Sequence, residues 1–359
     1  MGTQKSLINI LDWYVPTRVI RRKCTDFERI DSFEVYNYAS FGVYFSANLV
    51  SSIRNIEKKI IIKILSYDCA ITLEDVIKRL IILNIPNNTL YRSMLIENVS
   101  NTSTYYYFMP YESFICLPQF KRKYFVDYSY YDKFLIILSM LRAIERLHNM
   151  GFIHGHLELT SFVMVSTVLN YDSPQYIHPL IIDLENITFI KEHQKWEEFL
   201  KTNTNEELKI LYGKRQSASV EYFPYCSLKQ YNGEPTKMKD DLESWFYICI
   251  ELLLENNLFE NTYDKKNILY KKKCDMRIPI YQGFENIDPR FWEIIKFIDS
   301  MKDNVTPDYE SIYDMANNIK NMYNKEESQL SSQSINGQND EDYNDDSVKK
   351  IVLNDFQDE

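Results

Sequence analysis

Glycine is scarce in this chain, with 8 in 359 residues, well under the usual ~7%. Loops that cradle phosphate rely on glycine, because any side chain keeps the backbone N–H groups away from the anion. Long apolar runs are also missing. None reaches the ~18 residues of a membrane span, and no signal-peptide pattern opens the chain. The six cysteines, at 24, 69, 116, 226, 249 and 274, include no Cys-x-x-Cys pair. That spacing argues against a zinc ribbon or a dithiol redox site and suits reduced thiols in an intracellular protein, cytoplasmic or nuclear. A basic balance is lacking as well: the formal net charge is −10. A general nucleic-acid surface is therefore not indicated.

The charge that is present is uneven. Residues 340–359 carry eight acidic residues and two lysines, a net −6, and leave the body closer to neutral. With 45% apolar and 14% aromatic residues, the chain can bury a sizeable core, and its length suits one large bilobal domain or two domains. The opening Met1-Gly2-Thr3-Gln4-Lys5-Ser6 fits the pattern for myristoylation on Gly2. With Arg18, Arg21, Arg22 and Lys23, one acyl chain would give weak, reversible membrane contact. The plainer reading is a solvated basic face ahead of the first strand.

From Phe27 to Met109 the texture is strand-like. Phe33–Tyr38 and Val43–Ala47 alternate around Ala39-Ser40-Phe41-Gly42, a hairpin signal. Lys59–Leu65 reads as a buried strand, Thr72–Leu83 has helical periodicity, and Tyr105–Met109 reads as another strand. From Tyr131 the pattern changes. Leu135, Leu138, Leu141, Ile144 and Leu147 predict a long buried helix stopped by Gly151. A second buried helix is expected over Asp241–Glu255, with shorter ones at Arg290–Met301 and Asp308–Met322. After about Asn324 the polar composition reads as a disordered acidic tail. Its Ser328–Ser334 cluster and Ser347 are candidate phosphorylation sites.

The chemistry concentrates between Phe152 and Glu185. Phe152-Ile153-His154-Gly155-His156-Leu157-Glu158-Leu159-Thr160-Ser161 is polar where its apolar flanks predict core. Some twenty residues later, Leu180-Ile181-Ile182-Asp183-Leu184-Glu185 is a short apolar run ending in acid. Two such turns facing each other would form the floor of a site.

The order of these parts resembles the protein-kinase fold, and the residues support the likeness. Ile60-Ile61-Ile62-Lys63 stands where kinases carry the strand lysine that pairs with nucleotide phosphates. Glu74, eleven residues on, is the candidate partner of that lysine. Lys239-Asp240-Asp241-Leu242-Glu243-Ser244-Trp245, the later Thr306-Pro307-Asp308-Tyr309, and Phe152-Ile153-His154 resemble the casein kinase 1 family, with its tau-tubulin-kinase-like and vaccinia-related-kinase-like branches. The resemblance covers about residues 27–322. It implies an α+β fold with a small β-rich lobe and a larger, mainly helical lobe. The implied divisions are an N-terminal extension over 1–26, an N-lobe over 27–110, a C-lobe over 111–323 and the acidic tail over 324–359.

Set against that family, the chemical parts are altered. The three glycine positions of the phosphate loop fall at Asn37, Ala39 and Gly42, and only Gly42 is glycine. His156 stands where the family has the catalytic aspartate, which orients the substrate hydroxyl. An imidazole with an ordinary pKa of ~6.5 can act as a base, but it differs from a carboxylate in reach and charge. Glu158 replaces the loop lysine that neutralises the transferred phosphate. Two unit charges ~5 Å apart at an effective dielectric of ~20 would repel by roughly 3 kcal/mol where attraction is needed. Ser161 stands in for the metal-binding asparagine and offers a shorter, weaker magnesium ligand. Asp183 keeps the metal aspartate, while Glu185 replaces the following glycine. Glu221 falls where the activation segment would carry a basic residue, with Lys214 and Arg215 close by. Asp241 keeps a position whose implied role is structural, tethering the loop from the buried helix.

The resulting expectation is a catalytically impaired pseudokinase that binds or scaffolds proteins. The candidate nucleotide residues are Lys63, Glu74, Gly42 and Asp183. Asp183 and Ser161 are the candidate metal ligands, and ATP and magnesium are expected to bind weakly or not at all. The alternative is an active or weakly active ATP-dependent Ser/Thr kinase with His156 or Glu158 as an improvised base.

Overall fold

The computed structural model describes residues 29–39, 42–51, 56–66, 95–98, 104–110, 114–166, 173–184, 187–190, 224–254, 259, 266–278, 287–303 and 305–337. The N-terminal extension, the helix expected over Thr72–Leu83, Glu74, Glu185, the loop Lys191–Gly213, Lys214, Arg215, Glu221 and the acidic stretch 340–359 lie outside these residues.

The first half builds an antiparallel sheet. Strands β1 (Arg29–Ala39), β2 (Gly42–Ser51), β3 (Ile56–Ser66), β4 (Leu95–Asn98) and β5 (Thr104–Pro110) lie in the order β1-β2-β3-β5-β4. The expected hairpin forms, with Ala39 opposite Gly42. Register shifts between Asp31 and Glu34 and between Val35 and Asn37 mark bulges in β1, which sharpen its twist. In the β2–β3 pairing Tyr44 stands directly opposite Lys63. Residues opposite each other in an antiparallel pair project to the same face of the sheet.

The second half is helical. After β6 (Phe114–Cys116) come α1 (Leu117–Lys123) and α2 (Tyr130–Asn149). Ser129 caps α2 by accepting from the Asp132 N–H at 3.2 Å. At its other end Gly151 takes φ 86° and donates its N–H to the His148 carbonyl, so the predicted stop is a left-handed C-terminal turn. A second small sheet, β6-β8-β9, uses β8 (Phe162–Ser166) and β9 (Ile177–Ile181), while β7 (Phe152–Ile153) pairs with β10 (Thr188–Phe189). These two pairings fold the stretch between β7 and β10 back on itself.

Then follow α3 (Leu228–Tyr231), α4 (Met238–Leu253), α5 (Lys266–Asp275), α6 (Phe291–Ser300) and α7 (Tyr309–Gly337). Every residue of α4 from Lys239 to Leu253 is buried. Such a helix is the axis of a core rather than its wall. Phe134, Ile137, Leu141 and Leu147 of α2 belong to that core, and the Trp245 indole N–H donates to the Ile137 carbonyl at 3.3 Å. The expected start of a disordered tail at 324 falls inside α7, which runs on to Gly337. The reason is local. Lys325, Glu326, Glu327, Gln329 and Leu330 are good helix formers, and no proline lies between Tyr309 and Gly337. Among the described residues no helix is long and apolar enough to cross a membrane. Four of the cysteines, at 116, 226, 249 and 274, are described, and no disulfide joins any two of them.

Candidate functional site

Asp241 sits in the first turn of α4 and is 1% exposed. One carboxylate oxygen accepts the His154 N–H at 2.7 Å and pairs with His148 Nε2 at 2.9 Å. The other accepts the Gly155 N–H at 2.8 Å. The His148 Nδ1 atom bonds the Tyr309 hydroxyl. The imidazole of His148 bridges the Asp241 carboxylate and the Tyr309 hydroxyl. The carboxylate thus holds the loop after β7 from the buried helix, and α7 locks the histidine that supports it.

The loop itself is over-determined. His154 is fully buried. Its Nδ1 accepts the His156 N–H at 3.3 Å, so Nε2 carries the proton and donates to the Ile182 carbonyl at 2.9 Å. Burial pushes its pKa down despite the nearby Asp241, and the ring stays neutral. His154 thereby stitches the loop to the strand end that carries Asp183. Gly155 takes φ +74°, and a Cβ there would meet Thr236 Cγ2 at 3.3 Å. Its carbonyl accepts from Gln230 Nε2 at 2.8 Å.

Further along, Glu158 and Ser161 close a single 3-10 turn on themselves. The Ser161 N–H donates to the Glu158 backbone carbonyl at 2.9 Å, and the Ser161 hydroxyl accepts from the Glu158 N–H at 3.1 Å. The same hydroxyl donates to the His156 carbonyl at 3.3 Å. The Ser161 side chain is thus committed to the loop backbone on both sides. Both side chains are buried, Ser161 to 1% exposure. His156 Nε2 lies 3.5 Å from a Glu158 carboxylate oxygen.

Asp183 has φ +63° and is the one described non-glycine residue with positive φ. Aspartate tolerates this left-handed conformation better than most residues, and such outliers gather at functional sites. The carboxylate reaches across to the sheet, where the Lys63 ammonium forms an ion pair with its Oδ1 atom. The Tyr44 hydroxyl donates to the same oxygen. The Lys63 ammonium also lies 4.9 Å from the centroid of the Tyr44 ring. Lys63 and Tyr44 are at most 1% exposed and Asp183 is 5% exposed.

The sequence-predicted residues therefore gather unevenly. Lys63 and Asp183 meet directly. His156, Glu158 and Ser161 share the loop beside them. Gly42 closes the β1–β2 hairpin through its backbone pairing, and Glu74 and Glu185 lie outside the described residues. Among the described residues no group of three or more His, Cys, Asp or Glu is arranged to hold a metal ion. Sequence reasoning missed Tyr44, His148 and Tyr309. Tyr44 gave no signal of its own, because only the β2–β3 register places it opposite the lysine.

One comparison gives the chain a relative. Over 186 residues it is 26% identical to serine/threonine-protein kinase spe-6 of Caenorhabditis elegans. The match covers 50% of this chain and 44% of that protein, less than half of the relative's length. No family model matches the chain. The chain is thus distantly related to a serine/threonine protein kinase, and its mixed α+β fold with a small antiparallel sheet is compatible with that relationship.

Proposed function

We propose that this chain is a casein-kinase-1-like bilobal kinase domain that has lost phosphoryl transfer and works as an intracellular protein-binding module, in the cytoplasm or nucleus. The observation that carries this reading is the turn at 158–161, where a buried carboxylate lies against His156 and the Ser161 hydroxyl is committed to two backbone groups. Phosphoryl transfer needs a cation where Glu158 stands and a free metal-binding oxygen where Ser161 stands. Here the first is an anion facing the histidine, and the second stabilises the loop rather than a transition state. His156 adds no carboxylate to replace the family's base, and its ring faces Glu158.

Magnesium–ATP fits this residue set poorly. One Asp183 oxygen already takes two donors, and the Ser161 hydroxyl already accepts one hydrogen bond and donates another. Lys63, Asp183, Ser161, Gly42 and, outside the described residues, Glu74 remain the groups that would hold such a ligand. What survives unaltered is scaffolding. Asp241, His148 and His154 keep the loop's shape without contributing to chemistry.

The test is direct transfer of label. Purified chain is incubated with labelled ATP, magnesium or manganese, and casein. The expected result is no incorporation above that of an Asp183→Ala variant. Transfer that vanishes in Asp183→Ala would overturn the reading in favour of an active Ser/Thr kinase. One observation favours that second reading: the lysine and aspartate most needed for nucleotide binding are retained and adjacent.

A further inference from the structure

We infer that Tyr44 is a built-in plug of the candidate nucleotide site, competing with a divalent cation and phosphate for Lys63 and Asp183. This rests on the reading of that site as kinase-like and adds how it is kept closed.

A lysine that grips phosphates and a carboxylate that grips their cation are bridged by the ligand when it binds, with phosphate and metal between them. Here Lys63 and Asp183 are in direct contact, and one side chain of the protein itself, Tyr44, packs against both. The Tyr44 ring lies against the Lys63 ammonium, 4.9 Å from its centroid, and the Tyr44 hydroxyl caps Asp183 Oδ1. Lys63 takes the same oxygen. A hard cation at Oδ1 would therefore have to displace an O–H donor and an ammonium together.

The placement is written into the sheet. Tyr44 and Lys63 are opposite partners in the β2–β3 register, so they share a face. A tyrosine is long enough to follow the lysine down to the Asp183 turn, and a small aliphatic residue at that position would leave the Lys63–Asp183 pair uncovered. The left-handed backbone of Asp183 turns its carboxylate to meet both donors. The three groups are buried together. Lysine and aspartate cancel in charge, and the phenol supplies a donor in place of the metal.

The plug makes a prediction distinct from loss of catalysis. Fluorescent ATP with manganese is titrated into the full chain and into Tyr44→Phe and Tyr44→Val, with thermal unfolding confirming that each is folded. Phe keeps the packing and removes only the hydroxyl, and Val uncovers the Lys63–Asp183 pair. At least one variant is expected to bind the manganese nucleotide at least about tenfold more tightly than the unaltered chain. Adding Asp183→Asn should return that variant to the original weak binding. The plug is overturned if both folded variants bind no more tightly than the unaltered chain, or if the unaltered chain already binds as well as they do. Either failure leaves the label-transfer result standing by itself. Nucleotide binding by Tyr44→Val without label transfer supports plug and lost chemistry together.

Discussion

Two buried aspartates in this chain have opposite duties. Asp241 is acceptor to three donors, from His148, His154 and Gly155, and all three are structural. Removing it would strand the buried His154 N–H, the half-buried Gly155 N–H and the buried His148 ring, each unpaired buried group costing about 1–3 kcal/mol. Asp241→Ala should therefore lose about 3 kcal/mol or more of stability, seen as a lowered urea midpoint in equilibrium unfolding. Asp183 instead holds two donors in a strained backbone, and its replacement by Asn keeps the left-handed preference while weakening the ion pair. Asp241 was legible from its setting, an Asp-Asp-Leu-Glu-Ser string opening an apolar helix. Glu158 and Ser161 stood out as polar residues between apolar flanks, but not as partners. The bond from the Glu158 N–H to the Ser161 hydroxyl depends on a 3-10 turn that no periodicity announces. Tyr44 was hidden for a different reason: one strand read alone does not say which residue faces it.

At the level of elements, α7 is the informative one. Tyr309, Ile312, Ala316 and Ile319 are buried on it at helical spacing, so its first half was readable as an amphipathic helix. Its packing ends in an aromatic clasp. Tyr323 stacks on Tyr130 with ring centroids 4.7 Å apart and lies 6.3 Å from Phe134, which joins α7 to the start of α2. Tyr323→Ala should cost about 1–3 kcal/mol, measurable as a drop in thermal midpoint, whereas Tyr323→Phe should cost much less. The continuation of α7 beyond 323 was not legible, because polar composition reads as absence of a core. Lack of a core face does not forbid a helix whose residues favour one. The short strands β6, β8 and β9 were missed too. At 3–5 residues each they are too brief for alternation to show, and β8 is buried on almost all positions.

For the molecule as a whole, stability should carry a pH signature from Asp240. Burial pushes this carboxyl up to about 7, with Glu243 and Asp241 adding to the rise and hydrogen bonds from Ser227 and the Lys237 backbone opposing it. Between the ordinary carboxyl range and about 7, the folded chain keeps a proton that the unfolded chain has released, so stability falls as pH rises across that window. His154 works the other way. Its lowered pKa makes the folded state bind fewer protons below about 6.5, so its contribution is lost in acid. Comparing the chain with Asp240→Asn isolates the first effect. Between pH 4 and 7 the variant's stability should decline less steeply with pH, by up to about 1.4 kcal/mol per pH unit, as read from urea unfolding at each pH. The broad α+β layout was legible because hairpins and long helices are local patterns, whereas the site is assembled by contacts far apart in the chain. That separation has a consequence for biosynthesis. His154 and the aspartate that holds it are 87 residues apart. At about 5–20 residues per second, the loop emerges from the ribosome roughly 4–17 s before its anchor exists. Tyr309, which secures His148, is 161 residues beyond that histidine. During that interval the loop can be shaped by its neighbours in β7–β10 but not fastened, so a nascent chain has a window in which a chaperone could hold this segment before α4 and α7 close over it.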